Sequence, residues 1–82
     1  MKVKIYSTPM CPFCKAAKQF FKENNIKYKD INVLEDDNAR DEMIKKSGQI
    51  SVPVIEIKKS HSVGILIGFD EGKLKQSLNV EG

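Results

Sequence analysis

Val3 and Ile5, with the β-formers around them, predict a short opening strand, and Pro9 and Pro12 punctuate the turn that follows. From Phe13 to Asn25 the spacing changes. Phe13, Ala16, Ala17, Phe20 and Phe21 recur at i, i+3, i+4, i+7 and i+8, the stripe of an amphipathic helix. Asn24-Asn25 supplies residues that tolerate a left-handed helix end. Ile26 to Val33 then predicts a second strand, with Tyr28, Ile31 and Val33 as its β-formers. Strand, helix and strand in so short a span make a right-handed crossover with parallel strands.

A second helix is announced by Asp36-Asp37-Asn38 as cap and acidic first turn. Its apolar face is Ala39, Met43 and Ile44, and it closes at Gly48 after Lys45 and Lys46. Val52-Pro53-Val54-Ile55-Glu56-Ile57 predicts a third strand, with proline at its opening, where a missing N–H does least harm. Lys58 to Ser62 is a polar turn, and Val63 to Ile67 returns as the antiparallel partner, ended by Gly68. Lys58 and Lys59 then guard that hairpin, placed at one side of the sheet, against pairing with another chain. Asp70 caps a last helix with Leu74 and Leu78 inward and Phe69 just ahead of the cap. The expected fold is α/β, in the order β-α-β-α-β-β-α: a four-stranded mixed sheet with helices on both faces.

With 82 residues there is room for one small domain spanning 1–82. No window stays apolar for the ~18 residues of a membrane span, and Met1-Lys2-Val3-Lys4-Ile5 leads into a strand instead of an export signal. A reducing, cytoplasmic setting, no membrane and a monomer are therefore expected. The net charge of +3 comes from lysines spread along the chain among acidic residues. No run of basic residues with interleaved aromatics stands out, so nucleic acid is not an expected partner.

The chemistry concentrates in Cys11-Pro12-Phe13-Cys14, which holds the only two cysteines and opens the first helix. Half a zinc site is one reading, but the second ligand pair is missing and His61, alone in a polar turn, is expected to be solvated. Buried small apolar residues is another, and it suits Cys14 better than a pair wrapped around Pro12. A redox dithiol has the stronger physical cause. A helix N-terminus favours an anion by about 0.3–2 kcal/mol, and the remainder must come from hydrogen bonds. Unpaired N–H groups of Phe13 and Cys14 are available to the Cys11 sulfur, with Lys15 or Lys18 adding a longer-range positive field. Pro12, in the first helical position, loses nothing by lacking a donor. Cys11 is thus the expected nucleophile and Cys14 the resolving thiol.

With Cys11-Pro12-Phe13-Cys14 after the first strand, Ser51-Val52-Pro53 before the third and Gly68-Phe69-Asp70-Glu71 before the last helix, the chain resembles the glutaredoxins and their thioredoxin-fold relatives over nearly its whole length. The resemblance implies a thiol-disulfide oxidoreductase acting on protein or small disulfides. It also implies a cis Pro53 lying against the sulfurs and a Val52 backbone offered to an extended substrate. The implied substrate groove comprises Pro12, Phe13, Gln49, Val52, Pro53, Gly68, Phe69 and Asp70, with no metal ligand and no bound cofactor.

Glutathione-dependent members usually differ in the details. Here Phe13 stands for Tyr, Ser7-Thr8-Pro9 carries no lysine, Ile50 follows Gln49, Ser51 replaces Thr, and Ile67-Gly68 replaces a glycine pair. Asp70 and Glu71 remain. Each lost charge-assisted bond to a carboxylate is worth ~1.5–3 kcal/mol, so glutathione binding is expected to be weaker. Gln49 and the helix opened by Asp70 still suit its two ends. The chain is therefore intermediate between glutathione-dependent glutaredoxins and the redoxins that serve ribonucleotide reductase, though it lacks the tryptophan usual in the latter. Disulfide-bearing proteins are its implied substrates, and glutathione or a thioredoxin reductase its implied electron donor. An alternative use of Cys11, also known in the family, is to hold a metal or iron–sulfur cluster between two chains.

Overall fold

A computed structural model describes residues 2–78. Its elements run β1 (Lys2–Ser7), α1 (Pro12–Glu23), β2 (Lys29–Asn32), α2 (Asp37–Ser47), β3 (Val54–Lys58), β4 (Val63–Ile67) and α3 (Glu71–Leu78). The strands lie in the order β2-β1-β3-β4, with β1 and β2 parallel and the other neighbours antiparallel. This is the mixed four-stranded sheet of the thioredoxin and glutaredoxin fold.

Each face of the sheet has its own core. On one, Val3 and Ile5 of β1 and Ile55 and Ile57 of β3 meet Ala17, Phe20 and Phe21 of α1 and Leu74 and Leu78 of α3. On the other, Tyr6 and Val54 meet Ala39 and Met43 of α2, together with Val33. Register sets this division, because Ile5 stands opposite Ile55 and Ile55 opposite Leu66, whereas Tyr6 stands opposite Val54.

The second strand is shorter than its β-formers suggest, because Ile26 is spent on ending α1. The Ile26 N–H donates to the Phe21 carbonyl at 2.8 Å and the Asn25 N–H to the Lys22 carbonyl at 3.3 Å, with Asn25 at φ 55°. That is a Schellman closure, completed by the apolar contact of Ile26 with the core. Tyr28 likewise turns toward Phe21, with ring centroids 5.1 Å apart, and pairing with β1 begins only at Lys29. The buried face of α1 also differs from the expected stripe. Cys14, Ala17, Phe20 and Phe21 point inward, while Phe13 is 63% exposed.

The second helix follows its signals closely. The Asp36 carboxylate accepts the Ala39 N–H at 3.0 Å, and Gly48, at φ 72°, donates its N–H to the Ile44 carbonyl. Lys46 does more than face the end of the helix dipole. It reaches Glu56, only 1% exposed on the central strand β3, at 2.6 Å, and Glu42 at 2.5 Å. The Tyr6 hydroxyl donates to the same Glu42 oxygen at 3.2 Å and accepts from Lys46. Burial opposes the Lys46 charge, but the two carboxylates and the hydroxyl outweigh it and hold the ammonium above its ordinary range. Lys58 does not guard an edge. β3 is internal, β4 is the edge, and the Lys58 ammonium lies 3.9 Å from Glu56.

Candidate active site

The site assembles where the carboxyl end of β1, the start of α1 and the segment before β3 converge. Cys11 is the N-cap of α1, at φ −89° and ψ 114°, with Pro12 in the first helical position. Caps normally use a side-chain oxygen to take the N–H three residues on. Here the sulfur does so: the Cys14 N–H donates to Cys11 Sγ at 3.1 Å. Of the two backbone donors the sequence offers, it is the Cys14 N–H that makes this bond. The expected lysine field is also changed, because Lys18 is held at 2.7 Å by Asp30.

The two sulfurs occupy opposite surroundings. Cys11 is partly open to solvent and Cys14 is fully buried, and both are free thiols. Burial, reinforced by the hydrogen bond to Cys11 and only partly offset by the backbone of Thr8, pushes the Cys14 thiol up to about 12. Cys14 therefore keeps its proton at neutral pH.

Val52 supplies the facing wall. Its carbonyl lies 3.9 Å from Cys11 Sγ, and the Val52–Pro53 peptide bond is cis, with Pro53 buried. The Pro53 carbonyl accepts the Gly68 N–H at 2.8 Å, which ties the end of β4 to this segment. Gly68 sits at φ 78°, a left-handed conformation that glycine adopts without strain. The structure thus brings Cys11, Cys14, Pro12, Val52, Pro53 and Gly68 together.

The remaining expected groove residues are placed differently. Phe69 packs its ring edge-on against Phe20, centroids 6.3 Å apart, so its side chain belongs to the core and not to the groove. Asp70 accepts the Lys73 N–H at 3.1 Å as the cap of α3. Gln49 is exposed, its side-chain oxygen accepting from the Ser51 hydroxyl at 3.0 Å. Exposed apolar side chains flank the site residues in the chain: Met10 is 86% exposed just before Cys11, Phe13 is exposed in the first turn of α1, and Ile50, 64% exposed, lies two residues before Val52.

One polar group near the dithiol has no local sequence signal. Asp30 of β2 accepts from the Ser7 hydroxyl at 2.6 Å and from Lys18, one helical turn after Cys14. These partners stand 23 and 12 positions away in the chain, so only the parallel pairing of β1 with β2 unites them. Burial raises the Asp30 carboxyl, but Lys18 and Ser7 prevail and hold it below its ordinary 3.8. The stability it contributes is therefore complete above that value and is lost as pH falls through the lower folded-state value. Thermal melts of Asp30→Asn are expected to show a shallower loss of stability than the parent chain as pH falls below 3.8. Parallel curves would mean that the Lys18 contact contributes nothing.

Comparison with known proteins agrees with this geometry. The glutaredoxin family model matches residues 3–62. The chain belongs to the glutaredoxin family. A glutaredoxin-like 8.6 kDa protein in the rubredoxin operon of Clostridium pasteurianum is 43% identical over 72 residues, spanning 88% of this chain and 91% of the relative. Glutaredoxin 3 of Escherichia coli K12 is 34% identical over 62 residues, spanning 76% and 75%. Among solved structures, a mutant of the thioredoxin-like protein BC3987 superposes with a TM-score of 0.86 at 34% identity, covering 98% of this chain and 97% of that one. A glutaredoxin of this fold is, in general terms, a thiol-disulfide oxidoreductase. No helix among the described residues is long and apolar enough to cross a membrane.

Proposed function

We propose that this glutaredoxin reduces disulfides on proteins by a two-thiol mechanism, with Cys11 attacking and Cys14 resolving. The observation that carries the proposal is the contrast between the sulfurs: Cys11 is accessible and accepts an N–H, and Cys14 is buried and protonated. The Cys11 thiolate attacks one sulfur of the substrate disulfide. A Cys11–substrate disulfide forms, and the substrate's other sulfur leaves as a thiolate and takes up a proton. Cys14 then attacks Cys11 Sγ, its proton passing to the departing substrate sulfur, so that the Cys11–Cys14 disulfide forms and the second substrate sulfur is released as a thiol. Two electrons have moved to the substrate. A thiol or dithiol donor, glutathione or a thioredoxin reductase, then restores the reduced pair.

Two features favour protein substrates. The Val52 backbone beside Cys11 suits an extended segment, and Met10, Phe13 and Ile50 offer that segment apolar contact. The Gln49 side-chain oxygen is engaged with Ser51, and no lysine precedes Cys11 in the 7–10 loop, so the grip on a glutathione carboxylate is weak. The setting we assign is a reducing cytoplasm, and the working form is a monomer.

The test is a trap. Cys14→Ser, incubated with a protein disulfide, is expected to accumulate a covalent adduct through Cys11 that is visible by mass spectrometry and lost on adding dithiothreitol. Release of fully reduced substrate without any adduct would remove Cys14 from the resolving role. Running the parent chain with glutathione and with thioredoxin reductase in the same assay identifies the donor, and faster turnover with the reductase is expected.

A further inference from the structure

Four lysines from two separate segments of the chain, Lys2 and Lys4 from one and Lys27 and Lys29 from the other, line one cleft of about 380 Å³ together with Val3 and Tyr28. The fold creates it. Because β2 pairs with β1 only from Lys29 opposite Lys4 onward, the preceding residues of the two segments part and leave a gap. The dithiol follows the other end of β1, roughly 17 Å away at ~3.3 Å per strand residue.

Lys4 stands directly opposite Lys29 on one side and Glu56 on the other, and Lys2 directly opposite Lys58. Like charges so placed repel. Among the described residues none of the four cleft lysines forms an ion pair. Glu42 feels the field of Lys4, but its carboxylate is engaged by Lys46. Four of the chain's fourteen basic residues thus gather at this cleft, and no acidic residue is part of its lining.

We infer that the cleft binds a small polyphosphate anion, a di- or triphosphate group either free or carried on a nucleoside. Its volume is that of a small-molecule site. Ammonium groups grip phosphate oxygens as point charges without needing the planar match that a guanidinium makes with a carboxylate. Tyr28, packed on Phe21, gives the cleft a fixed wall. The inference rests on no feature of the dithiol site.

Inorganic tripolyphosphate and ATP, titrated separately into the reduced chain at constant ionic strength, should each give saturable amide shifts confined to residues 2–4 and 27–29. Affinity should fall as sodium chloride is raised. Equal affinity for the two assigns the phosphate chain alone as ligand, and tighter ATP binding assigns a nucleotide; either supports the site. Lys27→Gln/Lys29→Gln should weaken binding by about tenfold or more. It should also abolish the rise in melting temperature that the anion produces, without lowering the starting value, because Lys4 loses a repelling neighbour. Disulfide reduction should be unchanged. Shifts spread over the lysines of α2 and the β3–β4 turn, or a double variant that binds as well as the parent, would overturn the proposal.

Discussion

Replacing Cys11 with serine is expected to bring reduction of a protein disulfide such as insulin down to the uncatalysed background while leaving the thermal midpoint nearly unchanged. The first half follows from access, since Cys14 is covered on all sides and cannot meet a substrate disulfide directly. The second half follows from the cap. Cys11 Sγ takes the Cys14 N–H as a serine oxygen would, and serine is among the best residues for that position. Cys11→Ala, which has no acceptor to offer, should lose activity equally and in addition lose about 1 kcal/mol of stability. Insulin turbidity and thermal melts of the three chains decide the matter. Substantial turnover by Cys11→Ser would mean that another sulfur begins the reaction.

The largest effect on stability is expected from Lys46→Met. It leaves Glu56 buried in the central strand with only Lys58, 3.9 Å from Oε1, as counter-charge, and that oxygen has no hydrogen-bond partner even in the intact protein. Removing one member of a buried pair costs about 3–5 kcal/mol, and because Lys46 is itself partly exposed the lower end applies. For a chain of this size that is a fall in melting temperature on the order of 10–20 °C. The double variant Lys46→Met/Glu56→Leu removes both charges and should recover most of the loss, since apolar replacements of buried pairs are often neutral. Urea unfolding of the parent, single and double variants gives the coupling directly. A single variant that loses less than about 1 kcal/mol would show that water already screens the pair.

Periodicity made the order and type of every element readable, because each helix carries its own cap and each strand its own β-formers. Asp36, Gly48 and Asp70 end or begin helices at the positions their side chains dictate. Boundaries were less readable where one residue serves two purposes. Ile26 has the look of a strand residue, yet its N–H closes α1, and only the three-dimensional path of the chain decides between them. Phe13 fits the helical stripe, but the capping geometry of Cys11 and Pro12 rotates the buried face onto Cys14. The dithiol itself is local and stands out in the sequence. Its surroundings are not local: Asp30 with Ser7 and Lys18, the buried Glu56 under Lys46, and the four lysines at the β1–β2 gap come together only through strand pairing.

The β3–β4 turn lies at the far end of the sheet from Cys11, is exposed from Lys58 to Ser62, and is closed by the Lys59 N–H on the Ser62 carbonyl at 2.8 Å. A peptide tag or reporter spliced in at this point would lengthen a surface loop without disturbing the strands it joins. The same splice between Ile67 and Asp70 would separate Gly68 from Pro53 and unseat the wall facing the reactive sulfur. For attaching this redox unit to a surface or to a second protein, the hairpin tip is the side to hold it by.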